Sequence, residues 1–169
     1  LQHTGFVASY NTKMGTPSWV AWELTRSETD GDVSRKDYKF LPDPLLPKRY
    51  QVVHADYTGS GYDRGHMCPA GDMQWSDAAM RDCHYMTNIC PQVPKLNQVY
   101  WERLESACRR WADIYGSVYV VCGPVYKGKR HAGIGGKHKI ECVFTGFVEL
   151  KIFNFNFSFF VNAEYVLDY

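Results

Sequence analysis

Hydrophobic and polar positions in the first part of the chain form short patterned segments separated by glycine and proline. Residues 18–25, SWVAWELT, combine aromatic and β-branched side chains, which predicts a strand. Residues 50–54, YQVVH, predict a second, shorter strand. Between them, residues 26–37 carry mixed charge and residues 41–48 contain three prolines, so we expect irregular chain there.

The strongest helical pattern runs from about Leu96 to Tyr115. Apolar side chains recur there at helical spacing, at positions 96, 100, 104, 107, 111, 114 and 115. Gly116 is expected to end this helix, and Ser76 is a suitable N-cap for a shorter helix over residues 77–85. Residues 117–126, SVYVVCGPVY, predict a buried strand.

The chain changes character after residue 126. Residues 127–139 hold five Lys or Arg and two His with no acid, which makes them a basic loop. Such a loop either contacts nucleic-acid phosphates or is a solvated hairpin tip. Beyond it, Phe153, Phe155, Phe157 and Phe159 alternate with polar residues and predict a half-buried strand. We see no repeat, so residues 1–169 are expected to form one domain.

Composition bounds the possible functions only loosely. A chain of 169 residues with 45% hydrophobic and 22% charged residues is long enough and apolar enough to fold as a globular domain. The formal net charge is only +1, so any phosphate-binding site must come from local clustering of charge. No apolar stretch is long enough for a transmembrane helix, and we expect no membrane span.

Six cysteines occur without a CxxC pair, which argues against a zinc ribbon or a thioredoxin-like motif. The even number permits up to three disulfides, and that interpretation implies an oxidising compartment. The alternative is a set of buried free thiols in a reducing compartment. Cysteine number slightly favours the oxidised form.

The segment YDRGHMCPAGDM, residues 62–73, carries the first candidate chemistry. An imidazole titrates near neutrality, so His66 is suited to accept a proton from water. Arg64 beside it is suited to hold a phosphate oxygen, and Gly65 lets the backbone turn without a side chain that blocks the histidine. The alternative is a surface loop whose histidine has no catalytic role.

A second candidate site lies at the start of the long helix. Asn97 shares a helix face with Trp101 and Glu105, although an asparagine at a helix start is usually a cap. A neutral amide oxygen suits a hydrated Mg²⁺ that takes its other ligands from water and phosphate. Eight residues of helix rise about 12 Å, so Glu105 is too far for shared direct ligation. Glu105 therefore either acts on the metal through water or pairs with Arg109.

Taken in order, these segments resemble the DNA/RNA non-specific endonuclease family, whose members carry a ββα-metal active site. The matching segments are WVAWELT (19–25), YDRGHMCPAGDM (62–73), AAM (78–80), TNICPQ (87–92), LNQVYWERLE (96–105) and CGPVY (122–126). The resemblance covers about residues 1–140, and residues 141–169 do not look like the usual C-terminal part of the family. It implies an α+β fold with a central, mainly antiparallel sheet flanked by helices.

The resemblance also implies roles for individual residues. His66 would be the general base, Asn97 the sole direct protein ligand of Mg²⁺, and Glu105 the group that holds a water of the metal ion. Mn²⁺ or another divalent cation could replace Mg²⁺. Three further residues would contact nucleic acid, the first two of them also aiding catalysis: Arg64 at the phosphate, Arg35 at the transition state and Asn88 beside the site.

The implied activity is Mg²⁺-dependent, sugar-nonspecific hydrolysis of phosphodiester bonds in DNA and RNA, which leaves 5′-phosphate ends. One alternative is a catalytically inactive nucleic-acid-binding module on the same scaffold, and another is a disulfide-rich extracellular interaction domain. The expected state is a monomer or homodimer in a secreted or periplasmic location. We also expect a disulfide between Cys68 and Cys90, with a zinc site that includes His66 as the alternative.

Overall fold

A computed structural model describes residues 1–126, 133–136, 138–141, 145–152 and 155–162, with side chains described no further than residue 141. Its strands are β1 (Val7–Asn11), β2 (Thr16–Thr25), β3 (Asp63–His66), β4 (Ile89–Gln92), β5 (Ser117–Val125), β6 (Gly133–Ile134), β7 (Ile140–Glu141), β8 (Thr145–Ile152) and β9 (Phe155–Asn162). Five of them form one antiparallel sheet in the order β1-β2-β5-β8-β9. The mainly antiparallel α+β architecture is thereby confirmed.

Two α-helices accompany the sheet. Helix α1 (Asp77–Cys83) begins at Ser76, whose hydroxyl accepts a hydrogen bond from the Ala79 amide at 3.5 Å. Helix α2 (Glu102–Tyr115) follows directly on a π-helical segment, Leu96–Trp101, and ends at Gly116 with a positive φ of 93°. The two predicted helices are therefore present, and the longer one starts in an expanded turn.

The π-helical segment changes which side of the long helix is buried. Its buried residues are Leu96, Trp101, Cys108 and Ala112, whereas Ile114 and Tyr115 are exposed. A π turn holds one residue more than an α turn, so the buried face shifts by one position at Trp101. A regular helical spacing of the apolar positions would place Ile114 and Tyr115 on the buried face, and the π turn explains why they lie outside it.

The main core lies between α2 and one face of the sheet. Inward-facing residues of β2 and β5 alternate with outward-facing ones, as a half-buried sheet requires. The inward set packs against Trp101, Cys108 and Ala112 and consists of Val20, Trp22, Leu24, Val118, Val120 and Cys122. In the part of the chain that the structure describes, no helix is both long and apolar enough to cross a membrane.

Two local predictions fail and one falls partly outside the described residues. Residues 50–54 form no strand, and two 3₁₀ turns, Lys48–Tyr50 and His54–Tyr57, occur there instead. The stretch from Asp56 to Ala70, whose glycines and proline favour an irregular loop, contains β3 instead. The phenylalanine-rich strand is present as β9, but Phe153 lies outside the described residues, as does most of the basic loop.

Candidate active site

A two-stranded ribbon and the start of the long helix form the framework of the site. Strand β3, DRGH, pairs antiparallel with β4, so that Gly65 lies opposite Cys90 and His66 opposite Ile89. The π-helical segment follows β4 after a short turn. This is a ββα arrangement in which His66 ends the first strand and Asn97 lies in the first helical turn.

His66 is almost fully buried, with 8% of its surface exposed. The Trp101 indole donates to the His66 carbonyl at 3.1 Å, which fixes the backbone at this position. Burial, with His84 and Arg35 nearby, lowers the pKa of His66 to about 3. Its Nε2 atom has no hydrogen-bond partner among the described residues. The ring is therefore neutral at physiological pH and presents an unpaired nitrogen.

Gly65 is required by packing rather than by a turn. It lies within β3, and a Cβ atom there would come within 2.0 Å of the Gln92 Oε1 atom. The Gln92 side chain is buried against this gap. The expectation of a sharp backbone turn at Gly65 is wrong, because the residue is in extended chain beside a neighbouring side chain.

Asp63 fixes the orientation of the Asn97 amide. The Asn97 Nδ2 atom donates to Asp63 Oδ2 at 3.0 Å, and Gln98 Nε2 donates to the same oxygen at 2.8 Å. A carboxylate can only accept, so the NH₂ end of Asn97 must face Asp63. The amide oxygen is then the end of Asn97 that is left to bind a cation.

Two arginines line the same cleft as His66. Arg64 donates through NH2 to the His54 carbonyl at 3.1 Å, and NH2 also lies 3.1 Å from His54 Nε2. Its guanidinium lies between the Phe40 and Tyr57 rings, 5.9 and 5.6 Å from their centroids. Arg35 is exposed at the start of a 3₁₀ turn, Arg35–Asp37, which Ser34 caps.

Glu105 lies on α2, between the cleft and an apolar pocket. Burial, helped by Asp72 and opposed by Arg109, raises the pKa of Glu105 to about 8. Arg109 does not form the expected ion pair with Glu105. It binds Asp72 at 2.9 Å, and the Trp22 indole also donates to that carboxylate at 3.0 Å. Glu105 therefore lacks the ion pair with Arg109 that would have given it a purely structural role.

These residues surround one cleft of about 220 Å³. It contains five of the six predicted site residues and two polar residues that the sequence did not single out, Gln98 and Glu102. The five are Arg35, Arg64, His66, Asn97 and Glu105. Two cations, a neutral imidazole, an amide oxygen and two carboxyl groups thus face a common space. Such a set suits a phosphate group together with a hard divalent cation.

Asn88 does not reach this cleft. It is completely buried, and its amide donates to the carbonyls of Cys68 and Cys83, each at 2.8 Å, and accepts from the Cys68 amide at 2.9 Å. This position is inconsistent with direct contact to nucleic acid. Asn88 instead connects the chain after His66 to the end of α1, so it acts on the site through the backbone.

The expected disulfide between Cys68 and Cys90 is absent. All five described cysteines are free and buried in the main core: Cys68, Cys83, Cys90, Cys108 and Cys122. They pack there as small apolar side chains, and burial raises their pKa values. Cys142 lies outside the described residues. The interpretation of the cysteines as oxidised is therefore wrong for this part of the chain.

Several contacts at the site could not be predicted from spacing. Asp63 binds the amides of Asn97 and Gln98, and His54 contacts Arg64. His66 and His84 lie edge to face, with ring centroids 4.9 Å apart. These pairs join residues from different segments of the chain. The only indication of them in the sequence is the number of polar residues near the DRGH segment.

Comparison with known proteins places the chain among nucleases. The sequence model described as DNA/RNA non-specific endonuclease matches residues 1–142. The chain is 37% identical to "Nuclease EXOG, mitochondrial" of Xenopus laevis over 89% of its own length, 40% identical to the Homo sapiens protein of that name over 73%, and 39% identical to "Mitochondrial nuclease" of Saccharomyces cerevisiae over 74%. It spans only 42%, 33% and 39% of those three proteins, respectively.

A solved structure has the same fold. A chain in the crystal structure of the EndoG/EndoGI complex superposes with a TM-score of 0.83 at 29% sequence identity. The match covers 89% of the present chain and 66% of that one.

The relatives contradict the expected compartment. Those from Xenopus laevis, Homo sapiens and Saccharomyces cerevisiae are named as mitochondrial proteins. The prediction of a secreted or periplasmic location is wrong. It rested on the even number of cysteines, and the free thiols of the core remove that argument.

Proposed function

We propose, from the premise that the chain belongs to the DNA/RNA non-specific endonuclease family, that it hydrolyses phosphodiester bonds in both DNA and RNA. The observation that carries the proposal is that His66, whose neutral ring leaves its buried Nε2 unpaired, lines a cleft together with two arginines. Since the cleft contacts are suited to phosphate rather than to a base or sugar, the same site can accept either nucleic acid.

In this proposal His66 is the general base. Its neutral imidazole takes a proton from the water that attacks phosphorus, and the 3′ oxygen leaves, so the products carry 5′-phosphate ends. Arg64 and Arg35 hold the phosphate oxygens and stabilise the negative charge that grows in the transition state. Contacts to Phe40 and Tyr57 support Arg64, which limits the freedom of its guanidinium.

The residues of the cleft fit a divalent cation. The donor set is made of oxygen atoms, from Asn97 with Glu102 and Glu105 on the same helix, which suits a hard ion such as Mg²⁺ or Mn²⁺. Bound there, the ion would supply positive charge to the phosphate and to the leaving oxygen. Asp63 holds the Asn97 amide with its oxygen free, and Glu105 lies close enough to the cleft to act through water.

The test is cleavage of supercoiled plasmid and of single-stranded RNA with Mg²⁺, in parallel with EDTA. We expect the native chain to cut both substrates and EDTA to stop it. Replacement of His66 by Ala should lower the rate by about 10²- to 10⁴-fold, the usual contribution of a general base. His138→Ala is the matched control, because that histidine binds Asp56 away from the cleft.

A catalytically inactive binding module is the second candidate, and the same experiment separates the two. Folded native chain that cuts neither substrate with any of several divalent ions, yet retards them in a gel, would support binding alone. Equal loss of activity in His66→Ala and His138→Ala would contradict the role of His66.

We also propose that residues 1–169 form one nuclease domain, since β8 and β9 extend the same sheet beyond the part that resembles the family. The monomer and the homodimer remain the two expected states, and sedimentation of the purified chain distinguishes them. The names of the relatives support a mitochondrial location, which fluorescence microscopy of the tagged natural protein would test.

A further inference from the structure

Three buried metal-ligating side chains meet behind the cleft. One ligand atom from each of His66, Cys83 and His84 lies within 4.8 Å of the other two. All three residues are buried, and only His66 also lines the cleft. The group joins the end of β3 to the end of α1, so it depends on the fold rather than on a local motif.

The Met80 carbonyl brings two of these side chains together. His84 Nδ1 lies 2.8 Å from this carbonyl and 3.4 Å from Cys83 Sγ, so the ring nitrogen beside the thiol is the one that faces Met80. A metal ion that binds His84 through Nδ1 takes the place of this hydrogen bond. The Cys83 thiol donates to the same carbonyl at 3.1 Å, and His66 Nε2 has no partner among the described residues.

The chemistry of the three atoms selects a class of metal. Two imidazole nitrogens and one thiolate are ligands for Zn²⁺ and similar borderline ions, whereas Mg²⁺ prefers oxygen. Bond lengths of about 2.0–2.3 Å place the ligands of a tetrahedral zinc ion roughly 3.3–3.8 Å apart. The ligand atoms, which lie within 4.8 Å of one another, need to approach by about 1 Å to bind such an ion.

We infer that His66, Cys83 and His84 form a zinc-binding site that switches the nuclease off. The ion enters from the cleft past His66, displaces the thiol proton of Cys83 and keeps a fourth position for water or phosphate. The lone pair of a His66 nitrogen cannot bind zinc and accept a proton at once. The inhibitory part of this inference rests on the proposed function, whereas the binding part does not.

The binding test uses Co²⁺ as a spectroscopic substitute for Zn²⁺. Metal-free chain in reducing buffer is titrated with Co²⁺ while the near-ultraviolet thiolate-to-cobalt band is recorded. We expect a band that Zn²⁺ abolishes and that is lost in Cys83→Ala and in His84→Asn. Cys108→Ala is the matched control, because that thiol is buried in the same core but outside the group. Thermal denaturation establishes that each variant is folded.

The activity test adds Zn²⁺ to the Mg²⁺-driven cleavage of plasmid. We expect Zn²⁺ to inhibit the native chain and Cys108→Ala alike, and Cys83→Ala to need at least ~10-fold more Zn²⁺. Absence of the cobalt band in the native chain, or its persistence in both folded variants, would overturn the site. Inhibition with the same Zn²⁺ dependence in Cys83→Ala would overturn the regulatory role. A cobalt band in a chain that cuts nothing would support the site while the proposed function fails.

Discussion

At the scale of single residues, two asparagines show how similar side chains serve different ends. Asn88 makes three hydrogen bonds, all with buried backbone groups of Cys68 and Cys83. Asn97 is only partly buried and directs its NH₂ group to Asp63. The first amide therefore maintains the position of the backbone, and the second is held ready for a ligand.

Substitution of Asn88 should lower the stability of the fold, whereas substitution of Asn97 should lower the activity. In Asn88→Ala, three buried backbone groups lose their hydrogen-bond partner. Each unsatisfied group lowers the free energy of unfolding by about 1–3 kcal/mol, so the melting temperature should fall strongly. In Asn97→Ala, the melting temperature should change little while Mg²⁺-dependent cleavage is lost. Calorimetry and plasmid cleavage measure the two effects. A strong loss of stability in Asn97→Ala alone would contradict these assignments.

Gly65 gives a second prediction at this scale. The Cβ atom of Gly65→Ala would overlap the Gln92 side chain, and overpacking of this kind costs about 1–3 kcal/mol. Urea denaturation should show this loss, and the double variant Gly65→Ala/Gln92→Ser should recover part of it. Gly136→Ala is the control, because nothing lies within 4 Å of its added Cβ atom. Equal loss in the single and double variants would exclude the overlap as the cause.

At the scale of elements, the sequence predicts the segments whose pattern is dense and local. The strands near residues 18–25 and 117–126 and the long helix follow from periodicity alone. The strand predicted at 50–54 is absent, and 3₁₀ turns occur there, because a short β-branched segment does not by itself determine a strand. The π-helical segment is invisible to a 3.6-residue period, which explains the error in the buried face after Trp101.

The candidate site shows the same limit. His66, Arg64 and Asn97 lie in recognisable motifs, so the sequence could single them out. The partners that orient them, Asp63 for Asn97 and His54 for Arg64, depend on how loops meet and carry no spacing signal. The sequence does not indicate the group of His66, Cys83 and His84 either, because the fold brings these side chains together.

Besides its core contacts, α2 is joined to the rest of the fold by an ion pair of Arg109. Its guanidinium binds buried Asp72, which the Trp22 indole of β2 also holds. Removal of one partner from a buried ion pair commonly costs about 3–5 kcal/mol, so Arg109→Met should be strongly destabilised in urea. Arg110→Met, an exposed neighbour on the same helix, should differ little from the native chain. Similar midpoints for both variants would refute this role.

At the scale of the whole molecule, the site places a titratable ring inside the fold. His66 remains neutral in the folded state because burial lowers its pKa to about 3, whereas in the unfolded chain its pKa is near the ordinary value of about 6.5. Between these two values the unfolded chain binds a proton that the folded chain does not. Acid therefore favours unfolding, and the effect begins as the pH falls below about 6.5.

The size of this effect can be measured. The free energy of unfolding should fall by about 1.4 kcal/mol per pH unit from His66 alone as the pH drops from about 6 toward 3. His66→Asn, which does not titrate, should lose that part of the slope, while the contribution of His84 remains. Urea midpoints at pH 7 and pH 5 test it. Identical pH dependence in the two proteins would contradict the buried neutral state of His66.

The pairing of β2 with β5 has a consequence for the way the chain folds. Thr25 lies opposite Ser117, so every residue that lines the cleft belongs to the loop that this pairing closes. Closing a long loop costs entropy before the contacts compensate for it, and such topologies fold slowly. On the ribosome, the DRGH segment emerges well before β5 is available. We therefore expect the candidate site to assemble late, after the sheet has joined the two ends of the loop.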